Sequence, residues 1–312
     1  MSAQLSPSHR TTAGVLCGAG AGALWGLVFL GPAVLQGTDP LLLTIGRYLC
    51  YGLASIVLMR RRWAGIASVL VRGDWLALLK LALVGNVIYY LCLSTAVQHG
   101  GIALTALIIG FLPLAVTVIG SRDHGAVPLS RLRWPLMLGV GGALCIAAQA
   151  LASPVAAGGR DIGLGVLAAL GALVSWTWFA VHNSRHLQRM HGVSAQDWNL
   201  LTGLMTGGLA LLLVPVAVYA AGVQAADVTG RLVAVSVTVA LVASIGGNAL
   251  WNTMSRLLPL TLVGQMILFE TLFALTYGLL WEARWPSAWE AAAFACVSLS
   301  VTLCVSVHRR PS

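Results

Sequence analysis

Gly85-Asn86-Val87-Ile88-Tyr89-Tyr90 and Gly247-Asn248-Ala249-Leu250-Trp251-Asn252 are the two stretches on which the reading of this chain turns. Each opens with Gly-Asn, and each sets an aromatic residue three positions after the Asn, on the same helix face. Both lie inside long apolar runs, where an amide is conspicuous. Further correspondences fall in register with them. Leu24-Trp25 in an earlier run answers Ser175-Trp176, and Phe111-Leu112-Pro113 answers Leu268-Phe269-Glu270. Matches repeated in one order over two halves of a chain mark an internal duplication.

Working outward, apolar runs of about 20 residues, the length needed to cross roughly 30 Å of hydrocarbon, occur ten times. They cover about 12–36, 40–60, 75–97, 101–120, 132–152, 162–182, 198–220, 232–255, 259–281 and 286–307. Pro40, Pro135, Pro259 and Pro286 are expected in first turns, where a missing N–H costs nothing. Five spans per half force the second half upside down. The expected fold is therefore an all-α integral membrane protein of ten transmembrane helices in a 5+5 inverted repeat, residues 1–152 and 153–312, forming one membrane domain. Inverted repeats are recurrent in secondary transporters, with the substrate near the midplane between the halves.

Composition agrees. Of 312 residues 58% are hydrophobic and only 9% charged, against about 25% charged in a soluble domain, and mean hydropathy is +0.88. The net charge of +9 follows the positive-inside rule rather than nucleic-acid binding. With the N-terminus in the cytoplasm, fourteen of the eighteen basic residues fall at cytoplasmic ends, Arg160, Arg231 and Arg284 fall outside, and Arg47 sits within the second span. Both termini are then cytoplasmic. No removable signal peptide is evident. The six cysteines lie in apolar stretches without CxxC spacing, and read as small buried hydrophobes.

At this point the pattern resembles the EamA branch of the drug/metabolite transporter superfamily, over essentially the whole chain. Ten helices in two inverted halves, a Trp in the first span of each (Trp25, Trp176) and Pro113 in the fourth span carry the likeness. Ala249-Leu250-Trp251-Asn252, with the aromatic third span, looks most like the YddG-type aromatic amino acid exporters. The resemblance implies a bacterial inner-membrane exporter working by alternating access. Its partners would be amino acids and the bilayer; it would need no cofactor and is compatible with a monomer. Glu270 departs from the symmetry, standing where the first half has Pro113.

Glu270 is the one carboxylate deep in a span, where a charge costs about 2.5–3.5 kcal/mol on insertion scales. It reads either as a substrate-ammonium or proton-coupling site, or as a structural partner. Arg47, roughly 10 Å deep at 1.5 Å per residue, pairs with Glu270, binds a substrate carboxylate, or snorkels to the outer headgroups. Asn86, Asn248, Asn252 and Gln265 serve either substrate or interhelical bonds. Trp25, Tyr89, Tyr90, Trp176, Trp178 and Trp251 suit an apolar or aromatic solute, or simply pack. Gly14, Gly18, Gly22 and Gly26 make a stripe for close helix approach. Pro32 and Pro113 are candidate hinges. His182 and His186 read as interfacial residues; without further ligands they do not make a zinc site.

The only lysine, Lys80, follows no Gly-rich loop, which removes Walker-type ATP hydrolysis by this chain. No GxSxG, HExxH or metal cluster points to an enzyme. The reading is thus an amino acid exporter with a preference for aromatic and related apolar substrates. Its rivals are an exporter of another metabolite or drug, a lipid-acting intramembrane enzyme, and a non-transporting scaffold.

Overall fold

The computed structural model describes residues 7–29, 34–35, 38–123, 126–152, 162–190, 192–219, 222–224, 227–281 and 283–309. All regular structure among them is helical. The first helix, α1 (Pro7–Gly26), ends in a single 3-10 turn over Leu27–Phe29, and the expected hinge at Pro32 lies outside the described residues. Next comes α2 (Pro40–Met59), which begins as its sequence demands: Pro40 occupies its first turn and Asp39 caps it, accepting from the Leu41 N–H at 2.7 Å. A short α3 (Trp63–Ala67) leads to α4 (Arg72–Leu81), a π-helical stretch π1 (Ala82–Ile88) and α5 (Tyr89–Ile109). After α6 (Leu112–Gly120), α7 (Leu129–Ala152) closes the first half.

The second half runs α8 (Ile162–Arg189), α9 (Ala195–Tyr219), α10 (Gly230–Val239), π2 (Ala240–Gly247) and α11 (Asn248–Leu257). It ends with α12 (Leu260–Met266), α13 (Leu268–Trp281) and α14 (Ala288–Arg309). Among the described residues seven segments are long and apolar enough to cross a membrane: Leu41–Met59, Arg72–Ala96, Gly163–Arg189, Ala195–Tyr219, Gly230–Leu257, Leu260–Tyr277 and Ala288–His308. These match seven of the ten expected spans. Of the other three expected spans, 12–36 overlaps α1, 101–120 is divided between the end of α5 and α6, and 132–152 lies in α7; none is among the seven segments of spanning length and apolarity.

Two boundaries differ from expectation. The break expected between 97 and 101 is absent, and the chain stays helical through Tyr89–Ile109. It breaks instead at Gly110-Phe111, just before Pro113 at the start of α6, because Pro113 has no N–H to carry the i to i−4 ladder back to Ile109 and its ring crowds that carbonyl. Pro135, expected in a first turn, lies inside α7, which starts earlier at Leu129. The carbonyl of Pro135 accepts the Ser300 hydroxyl at 2.5 Å.

The helices pack in a regular scheme. The principal partners of α2, α5 and α7 are α9, α8 and α14, while α6 packs on α12 and α1 on α11 and α13. The stripe on α1 explains the last contact. A Cβ on Gly22 would lie 2.7 Å from the backbone N of Glu270, and one on Gly26 would lie 2.9 Å from that of Ala274. Only glycine lets two backbones approach this closely.

Candidate functional site

Both Gly-Asn motifs sit on π-helical turns. A π turn bonds i to i+5 and so widens the helix; the carbonyls of Val84 and Asn86 share the Tyr89 N–H, those of Ala243 and Ile245 share the Asn248 N–H, and each also accepts a side chain from another helix. In π1, Val84 O accepts the Ser175 hydroxyl at 2.5 Å and Asn86 O accepts the Tyr48 hydroxyl at 3.3 Å. In π2, Ala243 O accepts the Trp25 indole N–H at 3.2 Å and Ile245 O accepts the Asn199 amide at 2.9 Å. Four donors, from α8, α2, α1 and α9, thus hold two distorted helices. The glycines make room for rings. A Cβ on Gly247 would stand 2.7 Å from the Trp25 indole, and one on Gly85 would overlap Phe179.

Three of the expected aromatics meet at the centre. Trp25 and Trp251 have ring centroids 5.1 Å apart, Trp176 and Trp251 5.2 Å, and Trp25 and Trp176 5.8 Å at 85°. Tyr89 lies 6.3 Å from Trp176. Such offset and edge contacts suit the ring quadrupoles. All three indoles are buried. Trp178 does not join them; it stacks on His182 at 4.2 Å, one turn further along α8.

The amides divide. Asn248 accepts a second bond from the Trp25 N–H at 3.1 Å and borders the indole cluster. The others are engaged between helices. Asn86 donates to Thr206 at 2.8 Å. Asn252 accepts from Asn183 at 2.9 Å, which in turn accepts from Trp198 at 3.0 Å. Gln265 donates to Thr117 and accepts from Ser300, both at 3.1 Å.

Arg47 does not snorkel. Its Nε donates to Ser244 in π2 at 3.2 Å, and its guanidinium carbon lies 5.2 Å from the ring centroids of both Tyr48 and Tyr90. That double cation–π contact is how an aromatic wall holds a cation in an apolar setting. The direct ion pair with Glu270 is not formed; among the described residues no carboxylate lies within 4.0 Å of Arg47. The two charges nevertheless lie within electrostatic reach of each other, with Tyr89 in reach of both. A small chamber of about 10 Å³, room for one water, is lined by Val28, Leu43, Arg47, Tyr90, Val235, Ser236 and Val239 beside the guanidinium. The buried Ser236 hydroxyl and the Trp251 indole N–H have no hydrogen-bond partner among the described residues. Ser236 escaped the sequence reading because a serine in a Val/Ala-rich run carries no signal of its own.

The end of the bundle richest in arginine is closed by ion pairs, each joining the two halves. They are Arg62–Asp197 at 2.9 Å, Arg185–Asp123 at 2.6 Å and His186–Asp74 at 3.1 Å. At the opposite end the bidentate Arg284–Glu290 pair, 2.7 Å in both arms, stays within one half.

A bundle of helices of membrane-spanning length, with a partly buried arginine facing a chamber inside it, is the architecture of a multi-pass membrane protein. The chain belongs to the EamA-like transporter family, whose pattern matches residues 12–151. It is 33% identical over 278 residues, 84% of this chain and 85% of the other, to the inner membrane protein YtfF of Escherichia coli strain K12. A crystal structure 18% identical in sequence superposes with a TM-score of 0.75 over 96% of this chain and 99% of that one; at that identity it speaks to the fold.

Proposed function

We propose that this protein exports amino acids, aromatic and related apolar ones, across the bacterial inner membrane by alternating access. The observation that carries this reading is the separated couple of Arg47 and Glu270. Two opposite charges held apart, of which Arg47 lines the chamber, match a zwitterion, with the α-carboxylate on Arg47 and the α-ammonium toward Glu270. Phosphorylated solutes would call for more cations than Arg47 supplies. The Tyr48, Tyr89 and Tyr90 rings provide the apolar surroundings in which such contacts gain strength.

The reading includes ten spans in two inverted halves, with Arg-rich ends and both termini in the cytoplasm. The pairing of α2 with α9, α6 with α12 and α7 with α14 supports that symmetry, since each would be an element packed on its own repeat mate. The name of the relative YtfF supports the inner membrane. The inter-half ion pairs then form the cytoplasmic gate, shut in this state.

Flux of labelled phenylalanine, tryptophan, threonine and a cationic drug, measured in proteoliposomes with and without a pH gradient, tests this. Phenylalanine and tryptophan should move, and Glu270→Gln should abolish transport in a protein that still folds. Arg47→Gln should weaken uptake by about 1.5–3 kcal/mol, the value of a hydrogen bond to a charge. Transport of the drug alone would favour the rival exporter class.

A further inference from the structure

The chamber at Arg47 has a larger neighbour. Val28, Val235 and Val239 line the chamber on one side and a second cavity of about 300 Å³ on the other. This groove runs between the end of α1 and the α10–π2 segment, with Leu24, Leu27, Val242 and Ala243 among its walls. No ionisable side chain lines it, and its one hydroxyl, Thr238, already donates to Ala234 O at 2.8 Å. The indole cluster is different. Trp25 and Trp176 are 8% exposed and Trp251 2%, so each ring is covered by the other two and offers no free face for a further ring.

We infer that the apolar side chain of the substrate is bound in the Val/Leu groove between α1 and α10–π2, with its carboxylate on Arg47, and not against the tryptophans. This rests on the amino-acid reading above and adds the subsite that sets specificity. Two observations fix the occupant as the tail of a carboxylate. The groove shares its Val28, Val235 and Val239 wall with the chamber of a cation that has no protein carboxylate in contact, and the unpartnered Ser236 hydroxyl lines that chamber. A carboxylate on Arg47 directs its substituent past Val28 and Val239 into the groove. There an apolar group replaces lipid or water at a gain, whereas a charged or amide side chain finds no partner and is rejected. Selection is therefore by apolarity and size rather than by ring stacking, and leucine and phenylalanine compete on comparable terms while lysine and glutamine do not.

Binding of leucine, phenylalanine, lysine and glycine to the purified, reconstituted protein, measured by calorimetry, decides it. Val242→Trp and Thr238→Trp fill the groove from its far wall without touching Arg47. Each should weaken leucine and phenylalanine by at least about tenfold and leave glycine unchanged; retained glycine affinity also reports a folded site. Unchanged leucine and phenylalanine affinities in both variants, or an equal loss for glycine, would overturn the groove. If the unaltered protein binds none of the four, the amino-acid reading falls instead. The groove is then judged with octanoate, which should bind the unaltered protein and not Val242→Trp; equal binding to both overturns it.

Discussion

Trp25 donates its indole N–H to the carbonyl of Ala243, 3.2 Å away and 218 positions along the chain. The acceptor lies in π2, where it also takes the i+5 N–H of Asn248, so its two lone pairs serve two donors. Ser175 stands in the same relation to Val84 of π1. The π turns and the side chains that bond to their carbonyls thus tie both distorted helices to their neighbours, each donor adding a second bond to a carbonyl that already holds a backbone N–H.

Removing a donor while keeping the ring isolates that second bond. Trp25→Phe should lower stability by about 0.5–1.5 kcal/mol, the net value of the lost hydrogen bond, since the Ala243 carbonyl keeps its backbone N–H. Thermal unfolding in detergent measures it; an unchanged midpoint would mean that the Ala243 carbonyl finds another partner. Ser175→Ala should act alike on π1.

Charge reversal tests the gate. Asp123→Arg sets two cations together where Arg185 met Asp123 at 2.6 Å, and Arg185→Asp does the converse. Both partners are about one-third exposed, so the pair is worth at most about 1 kcal/mol. The inward-open population should rise up to about fivefold, and the double reversal should restore it. Alkylation of Ser255→Cys, fully buried behind this end, reads the population on a background lacking the six native cysteines. Equal rates in the single and double variants would show that the gate does not depend on this pair.

Glycine contacts can be separated from glycine propensity. Gly22→Ala drives a Cβ into the Glu270 backbone, which overpacks the α1–α13 contact at a cost of about 1–3 kcal/mol. Gly141→Ala, with nothing within 4 Å of the new Cβ, should instead stabilise α7 by about 0.5–1 kcal/mol. Opposite shifts in the unfolding midpoint are the expected result.

Gln265 distinguishes a cavity amide from a structural one. Gln265→Leu removes the bonds to Thr117 and Ser300, whose hydroxyls keep the Thr261 and Pro135 carbonyls. A stability loss of about 1–2 kcal/mol with substrate affinity retained is expected, in line with interhelical bonds in membranes. Lost affinity at unchanged stability would place Gln265 on the substrate path.

What the sequence by itself determined are the features that depend on local chemistry. Run length and the scarcity of charge declared a membrane chain, because hydrocarbon admits only satisfied, apolar helices. The Gly-Asn motifs marked α4–α5 and α10–α11 as the unusual elements, and the α1 stripe announced close backbone packing, since Gly at every fourth position has no other use on one face. The tryptophans of the first span in each half were legible as a pair because rare residues recurred in register. What only the tertiary structure decided are the questions of facing. The four mid-span amides look alike in sequence, yet Asn248 borders the indoles while Asn86, Asn252 and Gln265 bond between helices; Trp178, two residues after Trp176, points to a different neighbour because successive residues are turned about 100° around a helix. The π turns were invisible, since they arise from donors more than 90 positions away at Val84 and Ala243. Whether Arg47 would pair, snorkel or face a chamber depended on where Tyr48, Tyr90 and Ser244 arrive, and only the packing of α2 against π2 settled that.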